Sequence, residues 1–115
     1  MKNSWEPQKN KNLNSGTIDP ARWNAVPNSI LTDSEISVDA KVTYAMFLSY
    51  AWNNDSCFPG RGRLAEDIGI SRTQVTPLIA ELEKAGLVII QRRGQGKTNI
   101  YTIHRRKPRA ADQVA

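Results

Sequence analysis

The chain has very little cysteine and histidine and no long apolar run. It carries one cysteine, Cys57, in 115 residues, so no disulfide can form within it, and a lone thiol fits a reducing compartment. Beside Phe58, Cys57 reads as a small buried hydrophobe rather than a nucleophile. The single histidine, His104, stands next to a basic run. No Ser/His/Asp set, no glycine loop followed by Lys-Ser/Thr and no metal-ligand cluster can be assembled, so neither an enzyme nor a cofactor is expected. No apolar run approaches the ~20 residues of a membrane span, and the N-terminus lacks a signal-peptide apolar stretch. The expectation is a cytoplasmic protein with no membrane partner.

What the sequence does have is positive charge, unevenly placed. The formal net charge is +5, with a pI near 9.7. Met1 to Phe58 hold five Lys/Arg against six Asp/Glu, whereas Pro59 to Ala115 hold eleven against five. A polyanionic partner is favoured, and it should meet the second half.

That half contains RLAEDIGISRTQVTPLIAEL, from Arg63 to Leu82. Leu64, Ala65 and Ile68 give a first helix one apolar side. Gly69 supplies the left-handed conformation that leaves it, and Ile70 fills the angle to the next helix. Ser71 with Gln74 makes S-x-x-Q, a capping-box pattern. Val75, Leu78, Ile79 and Leu82 follow at i, i+3, i+4 and i+7, one face of a second helix. Its polar side displays Arg72, Thr73, Gln74 and Thr76, which can bond base edges and phosphates.

These offsets resemble the helix-turn-helix fingerprint, and LEKAGLVIIQRRGQGKTNIYTI resembles the β-hairpin of a winged helix-turn-helix. The longer stretch from Val26 to Val75, VPNSILTDSEISVDAKVTYAMFLSYAWNNDSCFPGRGRLAEDIGISRTQV, resembles the DNA-binding domain of plasmid and phage replication initiators and replisome organisers. TPLIAELEKAGLV is similar to MarR-type repressors. The resemblance covers residues 25–104 and implies an α+β, mainly α fold of three helices plus a C-terminal hairpin wing. It also implies a third strand near the start of the domain.

Along the chain, residues 1–24 read as a flexible arm. Trp23, Ala25 and Val26 could form a short strand ended by Pro27. Asn28 to Leu31 can make a turn of helix. Ser37 caps a long helix from Val38 to about Asn53, with Ala40, Tyr44, Phe47, Leu48 and Ala51 on one stripe. Val38, Val42, Ala45 and Trp52 form a second apolar set, fit either for burial or for self-association. Further helices are expected at Arg61–Gly69 and Ser71–Ala85, then strands at Leu87–Arg93 and Asn99–His104. On the last strand, either Tyr101 with Ile103 or the alternate set could point inward. Residues 105–115 form a basic tail.

Pro77 conflicts with this pattern. Inside the helix it would cost about 3 kcal/mol. Otherwise Thr76 caps and Pro77 starts the helix, which breaks the motif spacing. The MarR resemblance, with its TP pair within the helix, favours the first placement and a kink near Thr73.

The function implied is sequence-specific binding of double-stranded DNA, with the Ser71 helix in the major groove. Gln74 could read adenine or serve only as Ser71's reciprocal cap. Arg72 could meet guanine or phosphate, and Thr73 and Thr76 phosphate or a thymine methyl. The resemblance places Arg61 and Arg63, at a helix start where cations are disfavoured, on the DNA backbone. The wing would contribute Arg92, Arg93, Gln95, Lys97, Thr98 and Asn99, and the tail Arg105, Arg106 and Lys107. Replication initiation ranks ahead of transcriptional repression, because the long dimerisation helices of MarR-like proteins are missing. An initiator needs further domains, so the sequence reads as the N-terminal part of a longer protein or as a small accessory factor. A homodimer on DNA and replication-machinery proteins are the further partners. The rival outside DNA binding is a winged-helix protein-interaction module.

Overall fold

The computed structural model describes residues 20–52 and 54–105. It contains α1 (Asn28–Leu31), α2 (Val38–Ala51), β1 (Ser56–Cys57), α3 (Arg61–Ile68), α4 (Arg72–Lys84), β2 (Val88–Gln91) and β3 (Ile100–Ile103). The strands form one antiparallel sheet in the order β1-β3-β2. This is a winged-helix fold, with the expected elements at nearly the expected bounds and α1 as a short fourth helix.

Helix α2 is the hub. Ser37 caps it by accepting from the Ala40 N–H at 3.2 Å. Ala40, Tyr44, Phe47, Leu48 and Ala51 are all buried, with Leu64, Val75, Ile79, Leu82, Val88, Tyr101 and Ile103 packed around them. The Phe47 and Tyr101 rings stack at 4.8 Å and tie the helix to the sheet. Tyr101 and Ile103 are therefore the inward set of β3. The Tyr44 hydroxyl donates to the His104 carbonyl at 3.0 Å, closing the far end of that strand. The second apolar set on α2 divides. Ala45 is half-buried, whereas Val38 is 72% and Val42 43% exposed, so α2 is not buried all round.

The third strand is a correction. Trp23, Ala25 and Val26 form no strand. Instead the segment runs back along α2, with the Arg22 guanidinium 3.9 Å from the Trp52 ring centre and the Asn24 amide donating to Ser49 Oγ at 2.6 Å. Residues 22 and 24, assigned to the arm, thus contact the domain. The sheet edge they would have joined is taken by β1, where Ser56 faces Thr102 and Cys57 faces Tyr101. A two-residue strand is too short to show period-2 alternation, so no pattern announced it.

The path from α3 to α4 follows the sequence closely. Gly69, at φ 87°, ends α3, and its N–H bonds the Ala65 carbonyl at 2.8 Å. Pro77 lies within a continuous α4, as its sixth residue, and Val75 is fully buried, so Thr76 does not cap the helix. Pro77 removes the donor that would have reached the Thr73 carbonyl. Both residues are exposed, so water can satisfy that carbonyl.

Two contacts absent from the sequence reading fix the helices against one another. The Glu81 carboxylate accepts from the Ser37 N–H at 2.7 Å and from the Ser37 hydroxyl at 2.8 Å, joining α4 to the start of α2. Fully buried Tyr50 donates to the Asp67 carboxylate at 2.6 Å, joining α2 to α3. Burial first, and then this carboxylate, push the Tyr50 phenol well above its usual range.

Candidate nucleic-acid interface

The polar half of α4 faces outward. Ser71, Arg72, Thr73, Gln74 and Thr76 are all exposed, while Val75 and Ile79 on the same helix point into the core. This split is what the i, i+3, i+4 spacing of apolar residues requires.

Exposure does not leave all of them available. Gln74 Oε1 accepts from the Ser71 N–H at 2.9 Å and from the Ser71 hydroxyl at 3.0 Å. Its amide oxygen therefore serves the helix start, the second of its two anticipated roles. The Thr73 hydroxyl lies 3.0 Å from that of Ser71. Arg72 points elsewhere. A β-carbon on Gly62 would sit 3.8 Å from the Arg72 Cζ and Nε, so the guanidinium lies across the first turn of α3. Thr76 lines a small hollow beside Glu83 and Arg92.

In the wing the same division holds. Arg93 donates through Nε to the Thr98 carbonyl at 2.7 Å and through Nη2 to the Thr98 hydroxyl at 3.0 Å. It bridges the base of the Gly94–Lys97 turn, in which Gly94 adopts φ 93°. Arg92 stands 3.6 Å from Glu83 of α4. Gln95, Lys97 and Thr98 are exposed, and Asn99 is half-buried.

Five of the expected contacts come together, three of them cations. An open cavity of about 360 Å³ lies between the start of α3, the start of α4 and the wing, and Arg61, Arg72 and Lys97 line it along with Thr98, Asn99 and Tyr101. No carboxylate lines it. Sequence reasoning missed Pro59, Gly60 and Tyr101, which complete its walls. In the sequence, Tyr101 reads as a core residue and Pro59-Gly60 as a turn signal.

Other expected residues fall away from this cavity. Arg63 pairs with Asp67 along α3 at 4.0 Å. Arg105 reaches Asp55 at 3.5 Å, which neutralises a cation assigned to the tail's DNA attraction. Arg106 and Lys107, like most of the arm, lie outside the described residues. Cys57 is buried, and burial pushes its thiol up to about 12, which leaves it protonated and inert at neutral pH. Among the described residues no helix is long and apolar enough to cross a membrane.

Residues 34–88, which span α2, α3, the turn and α4, match the helix-turn-helix domain family. This segment is similar to helix-turn-helix domains. Two solved structures share the fold. One, described as the N-terminal domain of a DNA-binding protein, is 23% identical with a TM-score of 0.55 and covers 77% of each chain. The other, described as a Rep–DNA complex, is also 23% identical, with a TM-score of 0.57 and coverage of 77% of this chain and 78% of that one. No curated protein sequence matches the chain. At such identity the likeness concerns architecture. What the protein touches depends on its own α4, wing and cavity.

Proposed function

We propose that the protein binds double-stranded DNA sequence-specifically, as the DNA-binding domain of a plasmid or phage replication initiator. The observation that carries this reading is the single cationic front made by three separate elements. The polar side of α4 stands outward, and Arg61, Arg72 and Lys97 converge beside it with no acidic group among them. A major groove admits a helix of this kind, and a wing carrying a cation can follow the adjacent backbone. Thr76 is the exposed side chain proposed to meet base edges, since the Gln74 amide oxygen and the Thr73 hydroxyl both engage Ser71. The replication role draws on the resemblance of residues 25–104 and on the Rep–DNA complex that shares the fold.

Selection of bound duplexes from a random pool tests the proposal. Enrichment of one motif in direct repeats is the expected result for an initiator. A palindrome would move the reading to a dimeric repressor. Absence of any binding at low ionic strength would leave a protein-interaction module.

A further inference from the structure

We infer that the cavity between α3, α4 and the wing is a seat for one phosphate group, in which Arg61, Arg72 and Lys97 act on the same anion. The inference rests on the DNA-binding reading and sharpens it, because it assigns Arg72 to the backbone and takes it away from base reading.

Three observations converge on an anion. First, the lining brings one cation from each of α3, α4 and the wing, and it contains no carboxylate. Nearby arginines are partnered: Arg63 by Asp67, Arg92 by Glu83 and Arg93 by Thr98. Among the described residues, no ion pair engages Arg61, Arg72 or Lys97. Second, the walls are held close together. A β-carbon on Gly60 would lie 3.8 Å from Thr98 Cγ2, and one on Gly62 would lie 3.8 Å from the Arg72 guanidinium. The wing and the start of α4 both lean on the first turn of α3. Third, Arg61 is the first residue of α3, where the helix field opposes a cation, and Gly60 offers no side-chain cap. An anion in the cavity would reverse that penalty and would accept from the uncapped N–H groups as well. Like charges that line one cavity repel until a counter-charge arrives. A phosphate has the oxygens to take several charge-assisted hydrogen bonds at once.

A phosphate could come from the DNA backbone or from a free phosphate compound. The experiment separates them. Single methylphosphonate substitutions are walked along both strands of a duplex selected from the random pool, and each is titrated with the wild type and with Arg61→Ala, Arg72→Ala and Lys97→Ala. One position should cost the wild type about tenfold. The same position should cost each variant much less, because its phosphate partner is already lost. Each variant should also lower the salt slope by about one, equally on selected and scrambled DNA. Sensitivity at three different positions, one per variant, would overturn the shared seat. So would an Arg72→Ala loss confined to the selected sequence, which would make Arg72 a base reader.

The second arm uses inorganic pyrophosphate without DNA and follows the backbone amide signals. Shifts at Gly60 to Gly62 and Lys97 to Asn99 that vanish in Arg72→Ala, in a protein that binds no duplex, would keep the seat and discard the DNA reading. No shift and no duplex binding would discard both. The variants are checked for folding by the dispersion of the remaining signals, and all three replaced side chains are at the surface.

Discussion

The start of α4 and the wing carry much the same polar chemistry, yet they differ in how it is held. On α4, the cap takes the Gln74 amide oxygen and leaves the Arg72 guanidinium to lie over α3. In the wing the larger cations are the ones engaged. Arg93 ties the loop shut and Arg92 faces Glu83, so Lys97 is the wing cation that reaches the cavity. The rigid helix can present an arginine because its backbone needs no side chain beyond the cap. A glycine-containing loop has little structure of its own, and it uses a guanidinium to acquire one. Side-chain type and exposure alone do not tell a reading residue from a scaffolding one.

The largest effect should follow from opening the wing. Arg93→Ala removes two hydrogen bonds and should weaken binding to every duplex by about tenfold, through a loosened loop. Faster hydrogen exchange at the Lys97 to Asn99 amides would accompany it. Unchanged exchange, with a salt slope lower by one, would instead make Arg93 a phosphate contact and erase the contrast with α4.

Next comes the cap. Gln74→Ala should cost about 1 kcal/mol of folding stability in denaturant titrations and weaken selected and scrambled DNA alike. A loss of about 1–3 kcal/mol against the selected site alone would return Gln74 to the base-reading set.

Glu83→Gln sharpens the comparison from the other side. It frees Arg92, and affinity for any duplex should rise about threefold at low ionic strength, an advantage that fades as salt is added. Melting temperature should hardly move, because both partners are substantially exposed and such pairs contribute about 0–1 kcal/mol. A lower melting temperature without tighter binding would make the pair structural. The smallest effect belongs to Gln95→Ala at the exposed wing tip. Stability should stay within about 0.5 kcal/mol, and the salt slope should not change.

The helix-turn-helix was legible from local rules. Periodic apolar residues fixed the inward faces of α2, α3 and α4, and Gly69 and Ser71 fixed their junctions. Pro77 was legible as a conflict, and its place within α4 followed once burial of Val75 outweighed a lost hydrogen bond. The third strand was not legible. Whether Trp23 to Val26 or Ser56-Cys57 joins β3 depends on which backbone lies beside that edge, and the Arg22–Trp52 and Asn24–Ser49 contacts hold the earlier segment on α2. The face of β3 was ambiguous for the same reason, until Phe47 supplied a ring for Tyr101 to stack on.

By itself, the order of residues determined the helices, their buried sides, the turn between α3 and α4 and the concentration of positive charge after Phe58, because each depends on neighbours a few positions apart. Only the folded chain decided which polar groups remain at liberty. Glu83 on Arg92 joins α4 to the end of β2, and Glu81 on Ser37 and Asp55 on Arg105 are pairings across long stretches of sequence. So is the meeting of Arg61, Arg72 and Lys97 around one cavity. Such encounters are set by how helices and hairpin pack in space, which no local pattern encodes.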